Sequence, residues 1–233
     1  MAEVISAKRF NDWKLILVPS LISLVVTLLR LTGELEHWSD KWFSTETGGI
    51  IPSGVSWVFG ITWLALPFGI YFALKLSADG QFPQHLGRAG LCAVLGLIIG
   101  WGGLRFIPPL VRIGFPRILI VIWLIMVVAA GIQLPGWRAL FRTLFAYGLA
   151  SRIPVVFVMF FAMHGDWGTH YDYVGMPPQF QMSFVREFFW LAFFPQLIFW
   201  VAFTILIGSV GGIIAVAIVH RGGPAPQAGT MVP

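Results

Sequence analysis

Apolar residues in this chain fall into long unbroken runs, with none of the short alternations or polar-backed stripes of a water-soluble fold. Runs over 15–29, 55–76, 86–107, 116–134, 143–163 and 188–219 are bounded by charged residues, prolines or glycines. At ~1.5 Å per residue, about 20 helical residues cross the ~30 Å hydrocarbon core of a bilayer. The pattern therefore predicts an all-α, polytopic membrane helical bundle of about six transmembrane helices. A structured loop is expected between the fifth and sixth. Residues 1–220 read as a single transmembrane helical domain. Residues 221–233, RGGPAPQAGTMVP, read as a disordered C-terminal tail with nothing to pack.

Lys8 and Arg9 precede the first run as in a signal peptide, but no small-x-small cleavage site follows. The first span is therefore read as uncleaved. Residues 32–53 read as a polar connector whose acids, Glu34, Glu36, Asp40 and Glu46, are expected in water. Trp38 and Trp42 are expected at headgroup level. Pro19, Pro67, Pro154 and Pro195 each fall inside a span. Pro195 is expected to bend the last one, with 184–194 partly in the interface.

Composition strengthens this picture. Charged residues make up 11% of the chain and hydrophobic ones 58%, with a mean hydropathy of +0.83. A soluble domain carries about 25% charged residues, enough to wet its surface. The net charge of +5 comes from basic residues at the ends of apolar runs, a pattern suited to lipid phosphates and not to nucleic acid. Counting Lys and Arg near span ends gives eight on the side of the termini and six on the other. That favours cytoplasmic termini. The single cysteine, Cys92, excludes an intrachain disulfide and any CxxC motif.

Small residues recur at helical spacing in two runs. Gly96 and Gly100 form a GxxxG, and Gly208 and Gly212 form another. Such faces let helix backbones approach closely in lipid. They are read as packing surfaces, within the chain or toward other membrane helices, and leave the oligomeric state open.

The residue hardest to place in a bilayer is Arg152. It lies near the middle of the fifth run, two positions before Pro154. An arginine there costs about 2.5–3.5 kcal/mol on insertion scales. None of the ten acids falls inside an apolar run. Arg138, Arg142 and Arg152 share a helix face at about 0°, 40° and 320°. Three readings follow. Residues 137–152 form an interfacial or tilted helix and Arg152 snorkels to phosphates. Alternatively, Arg152 is buried and bonds to carbonyls, such as that of Ala150 freed by Pro154, or to Gln196 and Thr204. In the third reading, it lines a polar cavity and binds an anion or a lipid headgroup.

The loop after this span carries His164, Asp166, His170 and Asp172, which have the chemistry of divalent-metal ligands but no recognised metal spacing. An aromatic, hydrogen-bonded loop on the membrane surface is the simpler expectation. Glu187 is expected to cap the start of the last span. HExxH, Walker, GxSxG and dinucleotide-glycine motifs are absent from the sequence. The leading functional reading is a non-enzymatic transport or channel-type protein, or a membrane subunit of a larger assembly, without a cofactor. Its partners would be the bilayer, lipid headgroups and other helices. The alternatives are an enzyme acting on lipid headgroups through loop 164–172, with a divalent metal as its one conceivable cofactor, and a structural helix-packing protein.

Overall fold

The computed structural model describes residues 12–45, 56–106, 114, 117–172 and 182–221. Among them all regular structure is helical. Helix α1 spans Asp12–Leu35, α2 Ala65–Ala78, α3 Leu86–Arg105, α4 Arg117–Gly131 and α5 Arg138–Gly165. The last helix, α6, is continuous over Phe184–His220. Short 3₁₀ turns occupy Ser56–Phe59 and His170–Asp172. Helices α1, α3, α5 and α6 are long and apolar enough to cross a membrane, while α2 and α4 are apolar but shorter. The tail after 221 lies outside the described residues.

Two ends of the bundle are fixed by contacts between links. At one end the Trp137 indole N–H donates to the carbonyl of Gln81 at 2.8 Å, and the Phe82 ring packs on His220 at 4.6 Å. The α2–α3 link, the α4–α5 link and the end of α6 therefore meet. At the other end Phe43 packs on Phe59 at 4.6 Å, and the 170–172 turn joins the end of α1.

The surface of α1 is greasy and its buried face is polar. Val18, Leu21 and Val25 are half or more exposed, whereas Ser23, Thr27, Arg30 and Glu34 are at most 4% exposed. The steps of four, three and four residues place those four polar groups on one helix face. In water this arrangement would be inverted. In lipid it is the stable one, because the outer solvent is hydrocarbon.

Hydrocarbon outside would also remove the hydrophobic drive for helix association, leaving close contact to supply it. Helices α2 and α6 cross at glycines. A Cβ on Gly69 would fall on the backbone of Gly208, one on Gly208 would meet Leu144, and one on Gly212 would meet Ala73 and the carbonyl of Gly69. Gly96 and Gly100 on α3 face Ala129 of α4 and Leu206 of α6 in the same way. These glycines thus pack helices within the chain.

Two expected spans are irregular. The second was expected to be helical through 55–76. Instead, turns at 60–64 separate Ser56–Phe59 from α2, with N–H groups bonded back three positions, as from Ala65 to Thr62 at 3.4 Å. Ile61 and Leu64 in this break are buried, and such backbone is tolerated at membrane depth when protein covers it. The last span is π-helical over Phe188–Phe193 and Pro195–Trp200. Pro195 has no N–H to give, and the wider winding on either side shifts the register around it.

Candidate functional site

Helix α5 runs unbroken through Pro154, so residues 137–152 do not form a separate interfacial helix. Arg152 sits about 20 Å along α5 from either end at ~1.5 Å per residue. It is 4% exposed, and snorkelling is thereby excluded. Its Nη1 donates to Gln196 Oε1 at 3.3 Å, and its Nη2 donates to Thr62 Oγ1 at 3.4 Å. The guanidinium carbon lies 4.9 Å from the centre of the Trp200 ring. Nε is buried and has no partner among the described residues. Gln196 comes from the π-helical stretch and Thr62 from the break before α2, so two departures from α-helix supply the two acceptors.

Thr204, the other expected acceptor, instead donates to the carbonyl of Trp200 at 2.8 Å. The hydrogen bonds of Arg152 go to side chains and not to the carbonyl of Ala150 that Pro154 releases. Arg138 and Arg142 are exposed at the far end of α5. Their shared face does not make one site with Arg152, because the boundary between surface and interior falls between Arg142 and Arg152.

A second cluster joins α1 to the loop after α5. Arg30 Nε donates to Glu34 Oε1 at 2.8 Å, one helical turn away. The backbone N–H of His170 donates to Glu34 Oε2 at 3.0 Å, and its Nδ1 lies 2.6 Å from Oε1. The second guanidinium arm of Arg30 reaches the carbonyl of Ser44 at 3.3 Å. Glu34 was expected in a solvated connector. It is instead the buried hub of an ion cluster, because α1 continues one turn past Arg30 and carries it inward.

Tyr171 lies within the field of both clusters. It is 5% exposed, its hydroxyl donates to the carbonyl of Thr27 at 3.3 Å, and Arg30, Glu34 and Arg152 all act on it. Burial pushes its phenol above the ordinary range, so it stays neutral. Deeper in, Tyr147, also within the field of Arg152, shares a 2.8 Å hydrogen bond with Ser23 on α1. Burial holds the His170 imidazole below its ordinary value; the hydrogen bond to Glu34 pulls back, and Arg30 adds to the depression. His170 is thus neutral at pH 7, with Nδ1–H donating to the carboxylate.

The loop therefore divides: Asp166, Trp167 and Gly168 stay at the surface as expected, while 169–172 fold into the bundle. Thr169 is fully buried, and Asp166 takes a left-handed conformation (φ 46°) that ends α5. Asp172 Oδ2 accepts from the Gly168 N–H at 2.7 Å, Oδ1 has no partner among the described residues, and burial raises its carboxyl above the usual range. The four metal-type residues diverge. His164 and Asp166 are exposed, His170 turns to Glu34 and Asp172 to Gly168. Among the described residues no group of three or more His, Cys, Asp or Glu side chains comes together. Glu187 lies in the first turn of α6, the place expected for a negative charge at a helix start, while the N-cap residue Ser183 makes no side-chain cap hydrogen bond.

A separate groove of about 430 Å³ between α5 and the π-helical part of α6 is lined by Phe157, Phe160, Phe188 and Phe193 among others, with no polar residue in its wall. It offers room to hydrocarbon and no anchor to a charge. Sequence reasoning reached Arg152 and Gln196 but missed Glu34 and Thr62. The signal for Glu34 was its place in the series Ser23, Thr27, Arg30 and Glu34; Thr62 gave none. Comparison with protein-family models, curated proteins and solved structures finds no match to the chain.

Proposed function

We propose that this is a multi-pass membrane protein of the transport or channel type that binds an oxyanion, free or carried on a lipid headgroup, at Arg152. The chain would cross six times, with α2 and its preceding turns and α4 as the shorter crossings and both termini in the cytoplasm. The observation that carries the reading is a buried guanidinium in mid-helix whose two acceptors are neutral and whose Nε is unused. The buried charged side chains among the described residues are Arg30, Glu34, Arg152 and Asp172; Arg30 is paired with Glu34 at 2.8 Å, whereas Arg152 forms no ion pair among the described residues. Ionisable groups inside a membrane are costly and mark substrate or ion paths. Nε and Nη2 form the edge of the fork that grips two oxygens of one oxyanion, and Nη2 is held only by a hydroxyl at 3.4 Å. Broken and π-helical segments meeting at one charge are what such sites are built from in membrane proteins.

The test uses two probes, sulfate and dihexanoylphosphatidylglycerol, titrated calorimetrically into the purified protein in neutral detergent. Saturable binding is expected, weakened about tenfold or more in Arg152→Gln and less in Arg152→Lys, with helicity unchanged by circular dichroism. A response to sulfate identifies a free anion as the ligand, and a response to the lipid alone identifies a headgroup. Binding of neither probe, or equal binding by wild type and Arg152→Gln, overturns the reading.

A further inference from the structure

The apolar groove between α5 and the π-helical part of α6 ends at a group of unpaired charges. Its walls run from Ile153 and Leu197 to Phe161 and Phe188. From Ile153 to Phe161 is about eight residues, or ~12 Å at ~1.5 Å per residue. The stretch begins near the middle of α5 and ends one turn short of Gly165. Half of a ~30 Å hydrocarbon core is ~15 Å, so the groove matches the path of one chain in one leaflet. Ile153, Phe157 and Phe161 are each about half exposed, so it opens to the outside of the bundle and not to the interior. Its volume of about 430 Å³ lies in the range of sites that hold a discrete small molecule.

Aromatic rings carry the groove to its outer end. Phe160 packs on Phe188 at 5.2 Å and on Phe184 at 5.5 Å, and the His164 ring lies 5.2 Å from Phe184. Asp166 ends α5 just beyond His164, and Arg186 and Glu187 stand directly before Phe188 in α6. Asp166 lies close enough to Glu187 to act on it. Arg186 and Asp166 are exposed and Glu187 is half-buried. None of the three has an ion-pair partner among the described residues. The stretch 173–181 between them, YVGMPPQFQ, carries no charge that could supply one. An apolar cleft therefore meets one free cation and two free carboxylates at its mouth.

We propose that the groove binds one glycerophospholipid with a zwitterionic, primary-amine headgroup. An acyl chain fills the cleft, the phosphate meets Arg186, and the ammonium donates to Asp166 and Glu187. An anionic headgroup would bring its charge to a mouth that is already net negative. A quaternary ammonium has no N–H to give a carboxylate and is recognised by aromatic faces instead. The site is distinct from the one at Arg152. Arg152 and Gln196 hold each other one position before Ile153 and Leu197, and neither lines the groove. The proposal uses the membrane reading of α5 and α6 and needs no ligand at Arg152.

The purified protein in dodecylmaltoside is titrated with dioleoyl lipids bearing ethanolamine or choline headgroups, and bound lipid is counted by native mass spectrometry. One ethanolamine lipid per chain is expected, held about tenfold more tightly than the choline lipid, the size expected of one charge-assisted hydrogen bond. Asp166→Asn combined with Glu187→Gln should erase that preference and leave the choline lipid bound as before; Asn tolerates the left-handed backbone at 166. Arg186→Gln should weaken both lipids alike. Ile153→Trp, which fills the groove from its exposed side, should also weaken both. If circular dichroism shows that this variant does not fold, the headgroup variants decide alone. Equal binding of the two lipids overturns the proposal, as does a preference that survives the double carboxylate variant or full lipid binding by a folded Ile153→Trp. The series is repeated in Arg152→Gln with a glycerol headgroup added, which there reports on the groove without the anion site. An unchanged ethanolamine preference is expected. Its loss in Arg152→Gln, or tighter binding of the glycerol lipid in that variant, overturns the proposal.

Discussion

Glu34 and His170 stand 136 positions apart, and the imidazole Nδ1 of one lies 2.6 Å from a carboxylate oxygen of the other. This pair joins the first helix to the loop before the last, and it closes one end of a polar interior.

Removing the carboxylate should be far worse than removing the whole ion pair. Glu34→Ala leaves Arg30, 4% exposed, without its counter-charge. A loss of about 3–5 kcal/mol is expected. The double variant Arg30→Met, Glu34→Met should recover a large part of it. Reversible unfolding in mixed detergent and sodium dodecyl sulfate measures both. A single variant within about 1 kcal/mol of wild type would show the pair to be solvated.

Acid should loosen the ligand-free protein. Burial, with help from Arg30, places His170 below its ordinary 6.5 against the pull of Glu34. A base depressed in the folded state takes its proton more readily when unfolded. Its contribution is whole above about 6.5 and is lost as pH falls from there toward the folded value. Asp172 and Glu187, both raised by burial, act with the opposite sign, so the comparison with His170→Gln is what isolates the histidine in the window from about pH 7.5 to about pH 5.5. Thermal unfolding in detergent should shift down across it, and His170→Gln should remove the slope. A protein more stable at the acid end contradicts this.

The glycines divide into two groups. Gly69→Ala would place a methyl on the backbone of Gly208, which cannot step aside, and a cost of about 1–3 kcal/mol or more is expected. Gly87 in α3 has open space where a Cβ would go. Gly87→Ala should be neutral or stabilising by about 0.4–1 kcal/mol. Equal effects in the two variants, by the same unfolding assay, would mean that α2 and α6 do not cross at this point.

The short helices are testable from outside. With Cys92 replaced by alanine, Asp40→Cys and Asp79→Cys put single thiols at exposed positions at opposite ends of the bundle. In sealed vesicles of one orientation an impermeant maleimide should label only one of them until the membrane is opened. Labelling of both from one side would show that α2 does not cross.

What the sequence displayed was governed by solvent. Long charge-free runs can only be helices in lipid, so the class, the approximate limits of α3 and α5, and the anomaly at Arg152 were all legible. The inside of the bundle was less so. Glu34 looked like a connector residue because a helix buried on its polar face puts its charges where soluble proteins keep leucines. Thr62 sits in a helix break that opens at Gly60, and nothing in the sequence marks its hydroxyl as an acceptor for a distant arginine. The turn at 170–172 was legible as a loop, but its descent into the bundle depends on a partner on α1 far away in sequence.

The spacing of Arg30 and Glu34 also bears on biogenesis. They lie four residues apart on one helix, in direct contact. In a bilayer α1 would therefore carry its own neutraliser before any residue of α5 has been translated. His170, 136 positions later, would dock on a pair already formed.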